Sequence, residues 1–260
     1  MSSRDSNQID RPESRDSGNP RHINITNVSK IRRVIAERLK YSQNTNATLT
    51  TFNEINMEHV LALRQRLNDH MICQASNSSE PQAKKIGILP FFVSAATRSL
   101  LRFPLLNSFL DEKCVSVHEP NYVDISVAVS SDRGLFVPVI RDCQELRISE
   151  IGDKITQFSQ KAASNSLTPH DLHGGTFSIT NGGVFGSLLS TPVINPPQSA
   201  ILGMHSVQKR PVAGKDDRIE VKPMMYVALS YDHRLIDGKQ AVQFLVAIKQ
   251  YIECPESLLI

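Results

Sequence analysis

The sequence predicts an α/β protein built on a mixed sheet. Three observations point there. Several segments place apolar residues at helical spacing, and several short runs are apolar, β-branched or aromatic. The two kinds of segment mix without strict strand–helix–strand alternation, the pattern an all-parallel sheet would need. At 260 residues the chain can bury a sizeable core in one or two domains.

Taken in order, residues 1–22 carry one large aliphatic residue, Ile9, too little apolar surface to offset the entropy of ordering. We read 1–24 as a disordered linker remnant and 25–260 as one folded domain. Ser29 is placed to cap a helix whose stripe is Ile31, Val34, Ile35 and Leu39. Leu49–Met57 is strand-like, and Val60, Leu63, Leu67 and Met71 mark a second helix. Residues 74–85 read as a polar loop. Phe92, Ala95, Ala96, Ser99, Leu100 and Phe103 form a third helix, ended by Pro104. Tyr122–Val129 and Gly134–Ile140, joined by Ser-Ser-Asp-Arg, read as a strand pair. Ile148, Ile151, Ile155, Phe158 and Ala162 give a fourth helix. Thr176–Thr180, Ala200–His205 and Met225–Ser230 are short strands. From Lys239, Val242, Leu245, Ile248 and Ile252 line a last helix.

Composition narrows the function. The net charge of +3 is too small to argue for nucleic acid, and no apolar run approaches the ~18–20 residues that span a bilayer. Cys73, Cys114, Cys143 and Cys254 are scattered, without the paired spacing of a zinc site. Such cysteines suit a reducing compartment. The N-terminus shows neither the apolar core of a secretory signal nor an Arg-rich amphipathic presequence. The expected location is therefore a bacterial cytoplasm, with the mitochondrial matrix as the alternative.

The chemistry concentrates between the last strand and the last helix, in Asp-His-Arg-Leu-Ile-Asp-Gly at 232–238. A histidine at the end of a buried strand, surrounded by charge, is a common mount for a general base, although such a histidine can also be purely structural. This string resembles the active-site signature of the acyltransferase (E2) cores of 2-oxoacid dehydrogenase complexes. Its His-x-x-x-Asp-Gly also occurs in chloramphenicol acetyltransferase. The resemblance runs from about Val28 to the C-terminus. It includes Ser29–Leu39, Leu49–Met57, Arg133–Arg141 and Thr180–Ser187. Thr-Thr-Phe-Asn-Glu (50–54) and Thr-Asn-Gly-Gly (180–183) resemble the succinyltransferase branch, where acetyltransferase relatives usually carry Ser-Asn-Leu-Gly at the second block.

The resemblance implies a chloramphenicol acetyltransferase-like, two-layer α/β fold with a mixed sheet. It implies transfer of a succinyl group between a dihydrolipoyl thiol and coenzyme A, with His233 as the base. Asp237 either orients the imidazole or forms a structural ion pair, with Arg32 or Arg33 as partner. Gly238 is expected to allow an approach that a Cβ would block. Thr180 is placed to donate to the oxyanion, against the alternative that Thr-Asn-Gly-Gly is turn chemistry. Ser187 and His205 are candidates for the second carboxylate of a succinyl group, and His205 could equally be an ordinary strand histidine. Lys209 and Arg210 are possible phosphate contacts for coenzyme A. The implied assembly is a homotrimer with its site between subunits, eight trimers forming a 24-mer that works with E1 and E3 components. No lipoyl or subunit-binding domain is read before Val28, so the chain is expected to be a catalytic core alone, a fragment or a degenerate gene product, with the lipoyl attachment site not in it. Two alternatives stand beside this reading: an acetyl or branched-chain acyl specificity, and a non-catalytic scaffold.

Overall fold

The computed structural model describes residues 23–76, 85–111, 113–131, 134–214 and 217–259. The linker expected over 1–24 lies largely outside the described residues, as does the loop expected over 74–85, whose first residues, 74–76, are helical instead. In chain order the elements are α1 (Lys30–Thr45), β1 (Thr48–Asn56), α2 (Glu58–Ser76), α3 (Leu89–Arg102), β2 (Phe109–Leu110) and β3 (Val117–His118). There follow β4 (Ile125–Val127), β5 (Val129–Ser131), β6 (Gly134–Phe136), β7 (Val139–Ile140), α4 (Ile148–Ala163) and the single turn α5 (Pro169–Leu172). The chain ends with β8 (Phe177–Asn181), β9 (Ala200–Ala213), β10 (Ile219–Asp232) and α6 (Gly238–Glu253).

Six strands make one mixed sheet in the order β1-β10-β9-β8-β4-β7. β8 lies parallel to both β4 and β9, and the other neighbours are antiparallel. The expected pair 122–140 is split. Its outer parts, β4 and β7, join the main sheet, while β5 and β6 form a separate hairpin. Pro138 contributes to the break, since it has no N–H for a ladder and offers only its carbonyl, to Val127 N at 2.9 Å.

The core lies between the sheet and the helices, chiefly α3 and α6. Phe244 of α6 meets Phe177 of β8 at 5.7 Å and Phe103, beyond α3, at 6.2 Å, both edge-on. Full burial of such a ring contributes roughly 1.5–3 kcal/mol. Cys143 is buried beside this core, and burial pushes its thiol up to about 12.

Helix α1 behaves differently. Ser29 caps it as its spacing predicts, accepting from Arg32 N at 3.3 Å. Among the described residues Val34, Ile35 and Leu39 of its stripe find no core, being 56%, 43% and 45% exposed. The helix is tied to the body by Ser42, whose hydroxyl donates to Ile194 O at 2.6 Å. Ahead of it, Ile23 and Ile25 are 88% and 91% exposed.

Candidate active site

Two strand ends carry the residues singled out by sequence. The first is the end of β10. Asp232 is the last strand residue, and its carbonyl accepts from Leu235 N (3.1 Å) and Ile236 N (3.0 Å), which reverses the chain. Buried Ile236 anchors the turn and leaves His233 exposed at its tip. His233 N donates to Ala47 O at 2.9 Å. Its imidazole meets the ring of Tyr231 at 5.9 Å, and no hydrogen bond reaches it from the described residues. The side chain is exposed, as a base that must meet an incoming thiol has to be.

Asp237 sits at the start of α6. It caps the helix, its carboxylate accepting from Gln240 N at 2.7 Å while the Gln240 side chain accepts from Asp237 N at 3.4 Å. Among the described residues no arginine pairs with Asp237. The ion pair at this site is instead Asp232 with Arg234, 2.6 Å apart. Gly238 departs from its expected role too: an added Cβ would find nothing nearer than Tyr231 Oη at 3.8 Å.

The second strand end is that of β8. Half-buried Thr180 is its penultimate residue. The Asn181-Gly182-Gly183 turn that follows is docked on β9. Gly182 N donates to Met204 O (3.0 Å), and Asn181 Oδ1 accepts from Gly183 N (3.0 Å). An added Cβ on Gly183 would lie 2.3 Å from the His205 carbonyl, so only glycine fits. Gly186 completes the loop in the left-handed region at φ 86°. The turn reading of Asn181-Gly182-Gly183 is thus borne out, and it leaves Thr180 half-buried at the strand end beside the turn. The loop leaves Val184 and Phe185 71% and 75% exposed, with Leu188 and Leu189 close behind at 49% and 47%.

His205 is buried on β9, with both ring nitrogens occupied. Nδ1 lies 2.9 Å from Tyr226 O and Nε2 2.8 Å from Ser190 Oγ. A carbonyl only accepts, so Nδ1 carries a hydrogen, and Nε2 pairs with the Ser190 hydroxyl. A register shift between Met225 and Val227 brings the Tyr226 carbonyl to this position. His205 therefore holds Ser190, an exposed residue that sequence reasoning passed over. Ser187 lies three residues earlier on the same loop. Arg210 is engaged elsewhere, paired with Glu54 at 2.9 Å and stacked on Tyr226 at 4.7 Å, while Lys209 is exposed.

The two ends are far apart within one chain. Thr180 faces Gly203, and Gly203 faces Ala228, five residues before His233. At ~3.3 Å per residue and ~4.8 Å per strand, the two positions are separated by roughly 19 Å. One imidazole and one hydroxyl of the same chain cannot converge on a single carbonyl carbon across that gap. Among the described residues no group of His, Cys, Asp and Glu could hold a metal ion, and no helix is long and apolar enough to cross a membrane.

The sheet is mixed, with an exposed histidine at the end of one strand and a half-buried threonine at the end of another. The family model described as 2-oxoacid dehydrogenases acyltransferase (catalytic domain) matches residues 20–260, and the chain belongs to this family. It is 50% identical over 233 residues to the dihydrolipoyllysine-residue succinyltransferase component of the 2-oxoglutarate dehydrogenase complex of Pseudomonas aeruginosa, covering 90% of this chain and 55% of that protein. The chain thus spans about half the length of the curated relatives it matches. Among solved structures, the cubic core of the pyruvate dehydrogenase multienzyme complex superposes with a TM-score of 0.84 at 26% identity, over 92% of this chain and 95% of that one. Chloramphenicol acetyltransferase, at 14% identity and a TM-score of 0.50 over 83% and 94% of the two chains, shares the fold.

Proposed function

We propose that the chain transfers a succinyl group between S-succinyldihydrolipoamide and coenzyme A, as the catalytic core of a 2-oxoglutarate dehydrogenase complex. The observation that carries this reading is the unencumbered imidazole of His233, fixed at the end of β10 in a chain half identical to a succinyltransferase component. His233 takes the proton from the attacking thiol. The sulfur adds to the thioester carbonyl, and the Thr180 hydroxyl donates to the resulting oxyanion. Collapse expels the other sulfur, which takes the proton back from the imidazolium. Coenzyme A and the dihydrolipoyl group enter as substrates.

Ser187 and Ser190 supply hydroxyls for the second carboxylate of the acyl group, and His205 sets the direction of the Ser190 hydroxyl. Asp237 serves as the cap that fixes the start of α6 below the base. The separation of Thr180 from His233, the apolar surface of α1 and the Val184–Leu189 loop all favour a homotrimer in which each site takes its hydroxyl and its imidazole from different copies. The likeness to a cubic core favours assembly of such trimers into a 24-mer that works with E1 and E3 components.

The test is a steady-state assay with free dihydrolipoamide and succinyl-, acetyl- or isobutyryl-coenzyme A. We expect kcat/KM to be highest for succinyl. A preference for either monoacid would replace the acyl assignment, and no turnover with any of them would leave a scaffold.

A further inference from the structure

We propose that the Asp232–Arg234 ion pair is the positioning element for His233, the part that the sequence resemblance gives to Asp237 with Arg32 or Arg33. The proposal rests on the reading of His233 as the base.

Asp237 is exposed and faces α6, accepting from Gln240 N. Asp232 adjoins His233 directly and is 2% exposed. Its Oδ1 accepts from Ala47 N at 3.1 Å and from Arg234 N at 3.1 Å. Ala47 O in turn accepts from His233 N at 2.9 Å. The backbone before, at and after His233 is therefore pinned by one carboxylate and one residue of the α1–β1 junction.

Arg234 completes the arrangement. Its Nε lies 3.0 Å from each carboxylate oxygen, and its Nη2 lies 2.6 Å from Oδ2, a fork geometry that fixes orientation as well as charge. The remaining donors reach outward, Nη2 to Asn46 Oδ1 at 3.2 Å and Nη1 to Cys114 Sγ at 3.3 Å. One guanidinium thus joins the end of β10, the α1–β1 junction and the β2–β3 hairpin around the base. A buried carboxylate needs such compensation, and placing it one residue from the imidazole links the packing of three elements to the direction of the ring. Neither Asp232 nor Arg234 is required to touch the reacting atoms. Their effect passes through His233.

The experiment compares Asp232→Asn, Arg234→Gln and Arg234→Lys in the full chain, alone and combined with His233→Ala. Free dihydrolipoamide and succinyl-coenzyme A are the substrates, and fold and assembly are verified by circular dichroism and native mass. Asp232→Asn and Arg234→Gln are expected to lower kcat about 10²-fold, the scale of a 1 Å misplacement, with KM changed by no more than about two-fold. Arg234→Lys should recover part of the loss, since it keeps the charge without the fork. In the His233→Ala background the same changes should cost no more than about two-fold, because the group they position is gone. Arg234 is 30% exposed, so its variants test the pair even if Asp232→Asn does not fold. Wild-type kcat in folded Arg234→Gln, or an undiminished loss in the His233→Ala background, would overturn the pair's role while leaving His233 as the base. Wild-type turnover by His233→Ala would instead bring down the base reading and this proposal with it.

Discussion

The ends of β8 and β10 are built on opposite principles. The β10 end is held by charge: a buried carboxylate, a forked guanidinium and a helix cap fix every turn residue around His233. The β8 end is held by close backbone contact, with Gly183 lying directly on the β9 backbone. It also leaves four large apolar side chains, Val184, Phe185, Leu188 and Leu189, facing outward. The first end is complete within one chain. The second has the surface of half an interface. On the proposed function, the imidazole belongs to the self-sufficient end and the hydroxyl to the end that a second copy would cover.

The largest expected effect falls on the self-sufficient side. His233→Ala should lower kcat by about 10²–10⁴ while leaving the fold intact, read by steady-state succinyl transfer and circular dichroism. Turnover within a few-fold of wild type would remove the β10 end from the mechanism. On the other side, Thr180→Ala should cost about 10²–10³ in kcat, whereas Thr180→Ser keeps most of it. Equal impairment of both variants would mean that the hydroxyl is not the working group.

Smaller effects separate the two modes of construction. Gly183→Ala drives a methyl into the His205 carbonyl and should destabilise the chain by about 1–3 kcal/mol, lowering Tm by several degrees and kcat along with it. An unchanged Tm would show that the β8 loop is not held as described. Asp237→Ala removes only a cap, about 0.5–2 kcal/mol, and Asp237→Asn should restore most of that stability in thermal melts. If Asp237→Asn melted as low as Asp237→Ala, the residue would be acting as a charge and not as a cap.

Much of this was legible in the sequence. The helix stripes and apolar strand runs reflect local periodicity, so α2, α3, α4 and α6 fall where spacing places them. The far halves of β9 and β10 were not legible. Lys209, Arg210, Pro211, Lys222 and Pro223 interrupt any apolar pattern in a ribbon that extends beyond the core. Spacing showed α1 to be a helix but could not show that Val34, Ile35 and Leu39 stay exposed among the described residues. The site followed the same division. His233 and Thr180 stand in recognisable strings, but the bonds that define their surroundings join residues distant in sequence, such as Ala47 to Asp232 and Ser190 to His205. Local sequence carried no sign of the register shift that aims the Tyr226 carbonyl at His205, nor of Asp232 in place of Asp237 as the paired carboxylate.

The division of the site between copies is tested most directly by complementation. Thr180→Ala and His233→Ala chains, each nearly inactive alone, are unfolded together in equal amounts, refolded, and assayed for succinyl transfer. In random trimers about one interface in four joins an intact His233 to an intact Thr180 of its neighbour. Activity should therefore recover to a sizeable fraction of wild type, far above either parent. Recovery no greater than the sum of the parents, with mixed trimers confirmed by mass, would place both residues in one chain's site and contradict the account.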